Sequence, residues 1–529
     1  MSWLPRFLSP HTSVAAVQAI PAPWKGSRPA IYELVAKAIV AQGAIGKLHV
    51  EPSPPEPEKI RWAPGALDSL FGWPDRSKSQ GKARLLVAAL SKTVRQPHPR
   101  NAAHLYRLLC EGDTIAQVDQ VLPRVTADMG QHRDALAALA RRLVLESPDV
   151  EPVKAGVALL GISGQPADAP LLLTIGRFEE ITLYSVVALG HLLSQPEQKI
   201  WELAQSVQGW GRINAVERLA GTQDAAIKAW LLRKGFRNLV MYEYLAHTSA
   251  TTGGLLEALS APEVDDDLLI GAAEILEALI ITGGPAKDIS DYADGAAASA
   301  AFLSHASRRP PKDVHLLHAV AELKNFAEAE NNSASRRANW SVQSRWDVRS
   351  KAIAIIQNPA WISVVEAGLA GDDEQAFYIS AQVATAVGID PWPHRLERQR
   401  SRDTSQWFFL MQTDDPARID QVLALAREKL DLARVGSGPT LSLGLGGDYK
   451  DDSAMDVIVQ DMHRFPGKGW DLIEVGLRGR SIRLRNMAIN ALNGWDRAIW
   501  PADAVEKIRA ARLREPNDQV RARLDDLLR

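Results

Sequence analysis

Three stretches of the chain repeat one pattern and decide its fold: KAGVALLGISG at 154–164, LYSVVALGHLL at 183–193 and GRINAVERLAG at 211–221. Aligned at offsets of 29 and 30 residues, they superpose two sets of apolar positions: Val157, Val186 and Val216, and Leu160, Leu189 and Leu219. The apolar residues recur at helical spacing, without the alternation that is typical of strands. The pattern therefore predicts amphipathic helices that return about every 30 residues.

A second helix is predicted after each of these: Ala169–Ile175, Ile200–Gln208 and Ala225–Lys234. Echoes of the first-helix pattern recur at Ile270–Leu279, Val348–Ile356 and Leu484–Trp495. Gly161 and Gly190 coincide, which places a small residue where successive helices would cross. One helix pair cannot bury its apolar face alone, so repeated pairs must stack. We expect an all-α fold, a right-handed α-solenoid of HEAT-like helix pairs. The alternative is a chance likeness among Ala- and Leu-rich helices.

Composition bounds the class of protein. The chain has 529 residues, of which 46% are hydrophobic and 23% charged, as in folded globular proteins. Sixty-one basic residues against 63 acidic ones leave a net charge of −2, which excludes a chain-wide polyelectrolyte partner. Cys110 is the only cysteine, so internal disulfides, Cys-rich zinc sites and Cys-ligated iron–sulfur clusters are excluded.

The predicted organisation has four parts. Proline-rich residues 51–59 separate an N-terminal helix, near Pro29–Gln42, from the repeats, since proline cannot continue a helix. Trp3, Leu4 and Phe7 are expected to pack an irregular arm onto the body. The predicted segments are an N-terminal arm at 1–80, a first solenoid half at 81–306, an inserted helix and polar loop at 307–349, and a second half at 350–529 with a glycine-rich loop at 434–452.

No stretch reaches the ~18 uncharged apolar residues of a membrane span. The N-terminal residues lack the unbroken apolar region of a secretory signal. A cytoplasmic location is therefore expected.

No motif for catalysis or cofactor binding emerges. His315, His318 and Glu322 share a helix face and form the one candidate metal cluster, but zinc or iron would need ligands from another helix. The glycine-rich loop lacks the spacing of a dinucleotide or phosphate loop. Cys110 ends an apolar helix and is expected to behave as a small hydrophobe. We predict no catalytic residues, no metal and no cofactor.

Tryptophan is unusually frequent, with 15 Trp against 8 Tyr and 10 Phe, and several stand beside arginines after residue 335. Trp and Arg are typical anchors of protein interfaces, although arginine among aromatics also suits nucleic acid. The expected binding residues, on a concave surface of the C-terminal half, are Arg345, Trp346, Arg398, Arg402, Trp407, Asp448, Tyr449, Arg478, Arg480 and Arg483.

The string FPGKGWDLIEVGLRGRSIRLRNMAINALNGW at 465–495 resembles a family of bacterial HEAT-like proteins often labelled limonene hydroxylase. The matching positions are Phe465, Pro466, Gly467, Gly469, Trp470, Arg485, Asn486, Met487, Ala488 and Trp495, preceded by the Gly-Leu-Gly-Gly-Asp element at 444–448. Tyr32-Glu33-Leu34 is a weaker match.

The label implies oxidation of a monoterpene. Hydroxylation of an unactivated C–H bond needs haem, flavin or non-haem iron, and the sequence offers no motif for any of them. The string also has a structural interpretation, in which two glycines turn the chain and Arg485 and Asn486 hydrogen-bond free helix ends. Three functions therefore stay open: non-catalytic protein binding, which we favour, monoterpene hydroxylation, and nucleic-acid binding.

Overall fold

The computed structural model describes residues 10–24, 28–43, 62–70, 76–329, 340–402 and 405–529. Helices joined by turns and loops make up these ranges, which contain no β-strand. The chain divides into two compact units, with the boundary after Ile356 and the stretch 311–314 grouped with the second unit. In these ranges, no single helix is long and apolar enough to cross a membrane.

The helices of the first unit are α1 Pro10–Ala19, α2 Ile31–Gln42, α3 Ala66–Leu70, α4 Arg76–Arg95, α5 Pro99–Cys110, α6 Thr114–Met129, α7 Arg133–Glu146, α8 Val150–Ser163, α9 Ala169–Gly176, α10 Glu179–Leu192, α11 Glu197–Ser206, α12 Gly209–Glu217, α13 Ala225–Trp230, α14 Glu243–Gly253, α15 Leu255–Leu259, α16 Asp266–Ile280, α17 Gly295–Ala306, α18 Val314–Glu328 and α19 Val342–Ile356. A π-helical turn, Leu231–Gly235, extends α13. Short 3-10 turns are Gly130–His132 and Pro166–Asp168.

The second unit contains α20 Ala360–Ala370, α21 Glu374–Val383, α22 Trp392–Ser401, α23 Trp407–Met411, α24 Pro416–Lys429, α25 Leu432–Val435, α26 Lys450–Asp461, α27 Trp470–Leu477, α28 Ile482–Asn493, α29 Ala504–Arg514 and α30 Asp518–Leu528. Its 3-10 turns are Ala384–Val387, Gly447–Tyr449, Met462–Arg464 and Arg497–Ile499.

The helices pack against their neighbours in chain order, which confirms the predicted all-α, solenoid-like fold. In the first unit α6, α8, α10, α12, α14 and α16 lie side by side, and α7, α9 and α11 pack against them. The two aligned sets of valines and leucines are all buried in this stack. Burial at each equivalent position is what a stacked repeat requires.

The two aligned glycines differ in their roles. A Cβ on Gly161 would lie 3.2 Å from the Cα of Ala188, so this glycine permits the close crossing of α8 and α10. A Cβ on Gly190 would meet nothing within 4 Å. The predicted small-residue crossing is therefore present at the first glycine and absent at the second.

The N-terminal segment is more helical than predicted. Pro10 begins α1, because a proline at the first position of a helix removes no intrahelical hydrogen bond. Helices α1 and α2 pack against α7, so this segment is docked on the first unit. The predicted contacts of Trp3, Leu4 and Phe7, the proline-rich residues 51–59 and most of the polar loop before Trp340 lie outside the described residues.

In the second unit, α26, α28 and α30 form one layer and α25, α27 and α29 the other. The irregular part of the glycine-rich loop is shorter than predicted, running from 436 to 446 between α25 and a 3-10 turn. Part of it runs alongside the turn after α27, where the N–H of Thr440 donates to the carbonyl of Arg480 and that of Ile482 to the carbonyl of Ser442.

A buried ion pair joins three parts of this unit. Arg485 of α28 and Glu515, which follows α29, are fully buried, with Nε 2.7 Å from Oε2 and Nη2 donating to Oε1 at 2.9 Å. Arg485 also donates to the carbonyls of Gly479 and Thr440, both at 2.9 Å. The guanidinium thereby fixes the glycine-rich loop and the turn after α27 to the C-terminal helices.

We predict that Arg485→Met destabilises the second unit by about 3–5 kcal/mol, because Glu515 would be left charged and buried without a partner. The double variant Arg485→Met, Glu515→Leu should recover most of that loss, since it leaves no buried charge. Urea unfolding measures the stability of both variants, and hydrogen exchange of peptides from residues 450–529 shows whether the loss lies in the second unit.

Arg529→Ala is the matched control, because the Arg529–Asp526 pair is exposed and its loss should cost less than about 0.5 kcal/mol. A single variant Arg485→Met as stable as this control would refute the role given to the buried pair.

Candidate binding site in the C-terminal unit

The structure brings together five of the predicted binding residues. Arg478 and Arg480 lie on the turn between α27 and α28, and Arg483 lies in the first turn of α28. Asp448 and Tyr449 precede α26, on the neighbouring helix pair.

Arg480 ties this group to α26. Its Nη2 lies 2.7 Å from Oδ2 of the buried Asp452, and its Nε donates to the same carboxylate. The Arg480 guanidinium lies 4.3 Å from the ring centroid of Tyr449 and also donates to the carbonyl of Asp448. These contacts use Nε and Nη2 of Arg480, which thereby holds the loop in place.

Asp456 lies one helical turn beyond Asp452 and is also buried. Its Oδ2 is 3.3 Å from Nη2 of the half-exposed Arg483, whereas its Oδ1 accepts no hydrogen bond from any residue that the structure describes. Burial raises the pKa of Asp456 to about 6, since it outweighs the opposing effect of Arg483, and the charge of Asp452 adds to the rise. The folded state therefore favours the protonated form of this carboxyl.

We predict that Asp456→Asn stabilises the protein above pH ~6 by about 1–2 kcal/mol. The folded state binds this proton more tightly than the unfolded state, so Asp456 lowers stability as the pH rises from about 4 to 6. Thermal unfolding of both proteins across this range tests the sign. A stability gain of Asp456→Asn over the unsubstituted protein that grows below pH ~4 would contradict the raised pKa of Asp456.

A cleft of about 590 Å³ lies beside this turn, at the carboxyl-terminal end of α27 and along α29. Residues 436–439 form one wall, and the cations Arg478, Lys507 and Arg514 project into it. Lys507 pairs with Glu474 at 2.8 Å. Arg478 and Arg514 are exposed and pair with no acidic residue in the described part of the chain. Because neither guanidinium group has an acidic partner there, both are open to a ligand. The partial negative charge of a helix C-terminus stabilises cations at such positions.

Beside the cleft, the irregular segment 436–446 exposes three leucines, which we call the leucine row. They are Leu441, Leu443 and Leu445, at 66%, 52% and 58% exposure. The backbone N–H groups of Leu441 and Leu443 donate to no group in the described residues. Gly444 has φ +76°, and a Cβ there would lie 2.5 Å from the Cβ of Ser481. The segment therefore combines one paired edge, one open edge and an apolar face.

Sequence reasoning missed the leucine row. The signal was the alternation of leucine with serine or glycine from 441 to 446, which is the period of an extended segment with one apolar face.

The structure buries two of the predicted binding residues, Arg398 and Trp407, and leaves Arg402 partly exposed. Arg398 donates to the carbonyl of Gly371 at 2.7 Å and to Glu374 at 3.0 Å. Arg402 pairs with Asp372. Trp407 is buried in the core of the second unit. Arginine beside aromatics is as typical of a buried cation–π contact, such as the one Arg398 makes over Phe377 at 4.1 Å, as of a binding surface.

Arg345 and Trp346 belong to α19 of the first unit. Trp346 is exposed, whereas the Nε of Arg345 is buried and unpaired among the described residues. The two residues therefore cannot be counted as part of the C-terminal site.

His318, a member of the predicted metal cluster, is paired with a carboxylate of another helix. Its Nδ1 lies 2.5 Å from Oε1 of Glu277 on α16. Burial lowers the pKa of His318, but the hydrogen bond to Glu277 and the negative charges of Glu277 and Glu322 together outweigh burial, so the net pKa is raised. In the described part of the chain no three His, Cys, Asp or Glu side chains converge to hold a metal ion.

The string at 465–495 has structural contacts throughout. Gly467 and Gly469 have φ of +83° and +65° and turn the chain into α27. The indole N–H of Trp495 donates to the buried carbonyl of Met462 at 2.9 Å.

No protein-family model matches the chain, and no curated protein is significantly similar to it in sequence.

Proposed function

We propose that the chain is a non-catalytic protein-binding protein whose C-terminal unit binds an extended, acidic segment of a partner protein. The observation that carries the proposal is the pair of unpartnered guanidinium groups, Arg478 and Arg514, beside the leucine row.

Each part of this surface suits one part of an extended peptide. Arg478 and Arg514 present planar donors that match the geometry of a carboxylate. The leucine row offers alternate apolar contacts, and the open edge beside it offers backbone N–H groups, as in peptide recognition by strand addition. The segment is already held by Arg485, which lowers the ordering cost of binding.

One observation favours protein over nucleic acid. The exposed apolar side chains are leucines, whereas single-stranded nucleic acid stacks on aromatic rings.

We predict that selection from a library of random displayed peptides, with the full chain as bait, enriches sequences that place Asp or Glu next to alternating apolar residues. The tightest selected peptide should bind at least about tenfold more weakly to Arg478→Glu, Arg514→Glu, because each charged hydrogen bond contributes about 1.5–3 kcal/mol. Fluorescence polarisation of the labelled peptide gives the dissociation constants.

Leu441→Ser, Leu443→Ser should weaken the same peptide through lost apolar contact, with little change in salt dependence. Arg509→Glu reverses one charge at an exposed position of α29 that does not line the cleft, and should leave affinity unchanged. Selected peptides without acidic residues, or equal binding by the charge-reversed variant, would overturn the proposal. Salt-sensitive binding of single-stranded nucleic acid lost in that variant would favour the nucleic-acid alternative.

A further inference from the structure

A second cleft, of about 470 Å³, lies wholly within the first unit between α3, α12, α14 and residues 285–287. This volume is in the range of small-molecule sites. None of its lining residues was singled out in the sequence.

One wall of this cleft is the short helix α3, which is fixed by contacts distant in sequence. Asp68 forms a buried ion pair with Lys154 at 2.8 Å and accepts from the hydroxyl of Tyr184 at 3.0 Å. Ser69 accepts a hydrogen bond from Nδ2 of Asn214 at 3.0 Å. A helix of one turn is unstable alone, so these contacts determine its position. The wall is therefore preformed.

Another wall is aromatic. The rings of Trp210 and Tyr244 are 5.0 Å apart between centroids and inclined by 59°. Neither the indole N–H of Trp210 nor the hydroxyl of Tyr244 makes a hydrogen bond among the described residues. This wall thus offers apolar surface together with unused polar groups.

Two opposite charges in the cleft are unpaired. Glu217 and Lys287 both line it, and neither forms an ion pair with a described residue or with the other. Glu217 is the last residue of α12, where the helix dipole disfavours a carboxylate. Glu217 and Lys287 are both exposed, so a ligand in the cleft has access to the two charges. A carboxylate at a helix C-terminus does not stabilise that helix, which favours a role in binding for Glu217.

We propose that this cleft binds a small zwitterion, a free α-amino acid, with its ammonium group at Glu217 and its carboxylate at Lys287. The unpaired anion and cation match the two charges of such a ligand. The Trp210–Tyr244 wall receives its side chain. This proposal does not depend on the peptide-binding function of the other unit.

Isothermal titration calorimetry of the full chain with each standard α-amino acid tests the site. At least one should bind, and its decarboxylated amine and its deaminated acid should each bind about tenfold more weakly, because each loses one charged contact. Glu217→Gln and Lys287→Gln should weaken the amino acid by a similar factor. Lys199→Gln, an exposed lysine elsewhere in the first unit, should have no effect.

Glu217→Gln should also fold with at least the thermal stability of the unsubstituted protein, since the carboxylate is unfavourable where it lies. Lost binding in this folded variant would therefore report on the ligand contact. Absence of binding by every amino acid, or unchanged binding by both cleft variants, would overturn the proposal. An amine that binds as tightly as its parent amino acid would show that the zwitterion assignment is wrong.

Discussion

The repeated helices depend on their neighbours to cover their apolar faces. The aligned valines and leucines of α8, α10 and α12 with its following turn show the constraint, because all are buried where these helices pack against one another in chain order. Helices stacked in chain order also place their ends in rows. Both clefts described above lie where such ends meet a connecting segment, at the end of α12 in the first unit and of α27 in the second.

Connections between pairs carry the binding chemistry, so their rigidity matters. In the second unit the irregular segment 436–446 is held by a hydrogen bond from the Arg485 guanidinium to its backbone. A single buried side chain thus supports this connection, and Glu515 balances its charge. In the first unit the buried Asp68–Lys154 pair holds α3 in the same way. Buried ion pairs are weak evidence for stability, but here each one fixes a geometry.

The fold could be predicted from the sequence because the buried apolar residues recur at a regular interval along the chain. Val157, Val186 and Val216 are equivalent in structure since each occupies the same buried position of its repeat. The second helices of the three aligned repeats also begin within a few residues of their predicted starts. Connections have no such period. The helix at Pro10 was therefore missed, and the glycine-rich loop was predicted longer than it is.

The candidate sites were less predictable because they depend on contacts distant in sequence. Trp407 and Arg398 have the composition of an interface anchor, and only the packed structure places them in the interior. Arg478 was predicted, whereas its partner in the cleft, Arg514, was not, because only the stacking of α27 and α29 brings them into one cleft. The cleft at Glu217 has a wall from α3, far earlier in the chain. No local pattern could indicate that contact.

In the proposed complex, a partner's acidic segment occupies the cleft and the leucine row of the second unit. Hydrogen exchange of the full chain, with and without a saturating selected peptide, measures this contact. We expect new protection at 436–445, where open backbone N–H groups would be covered, with smaller protection in α29 and none in α19. Protection that spares residues 436–445, or that appears in α19 instead, would contradict the proposed complex.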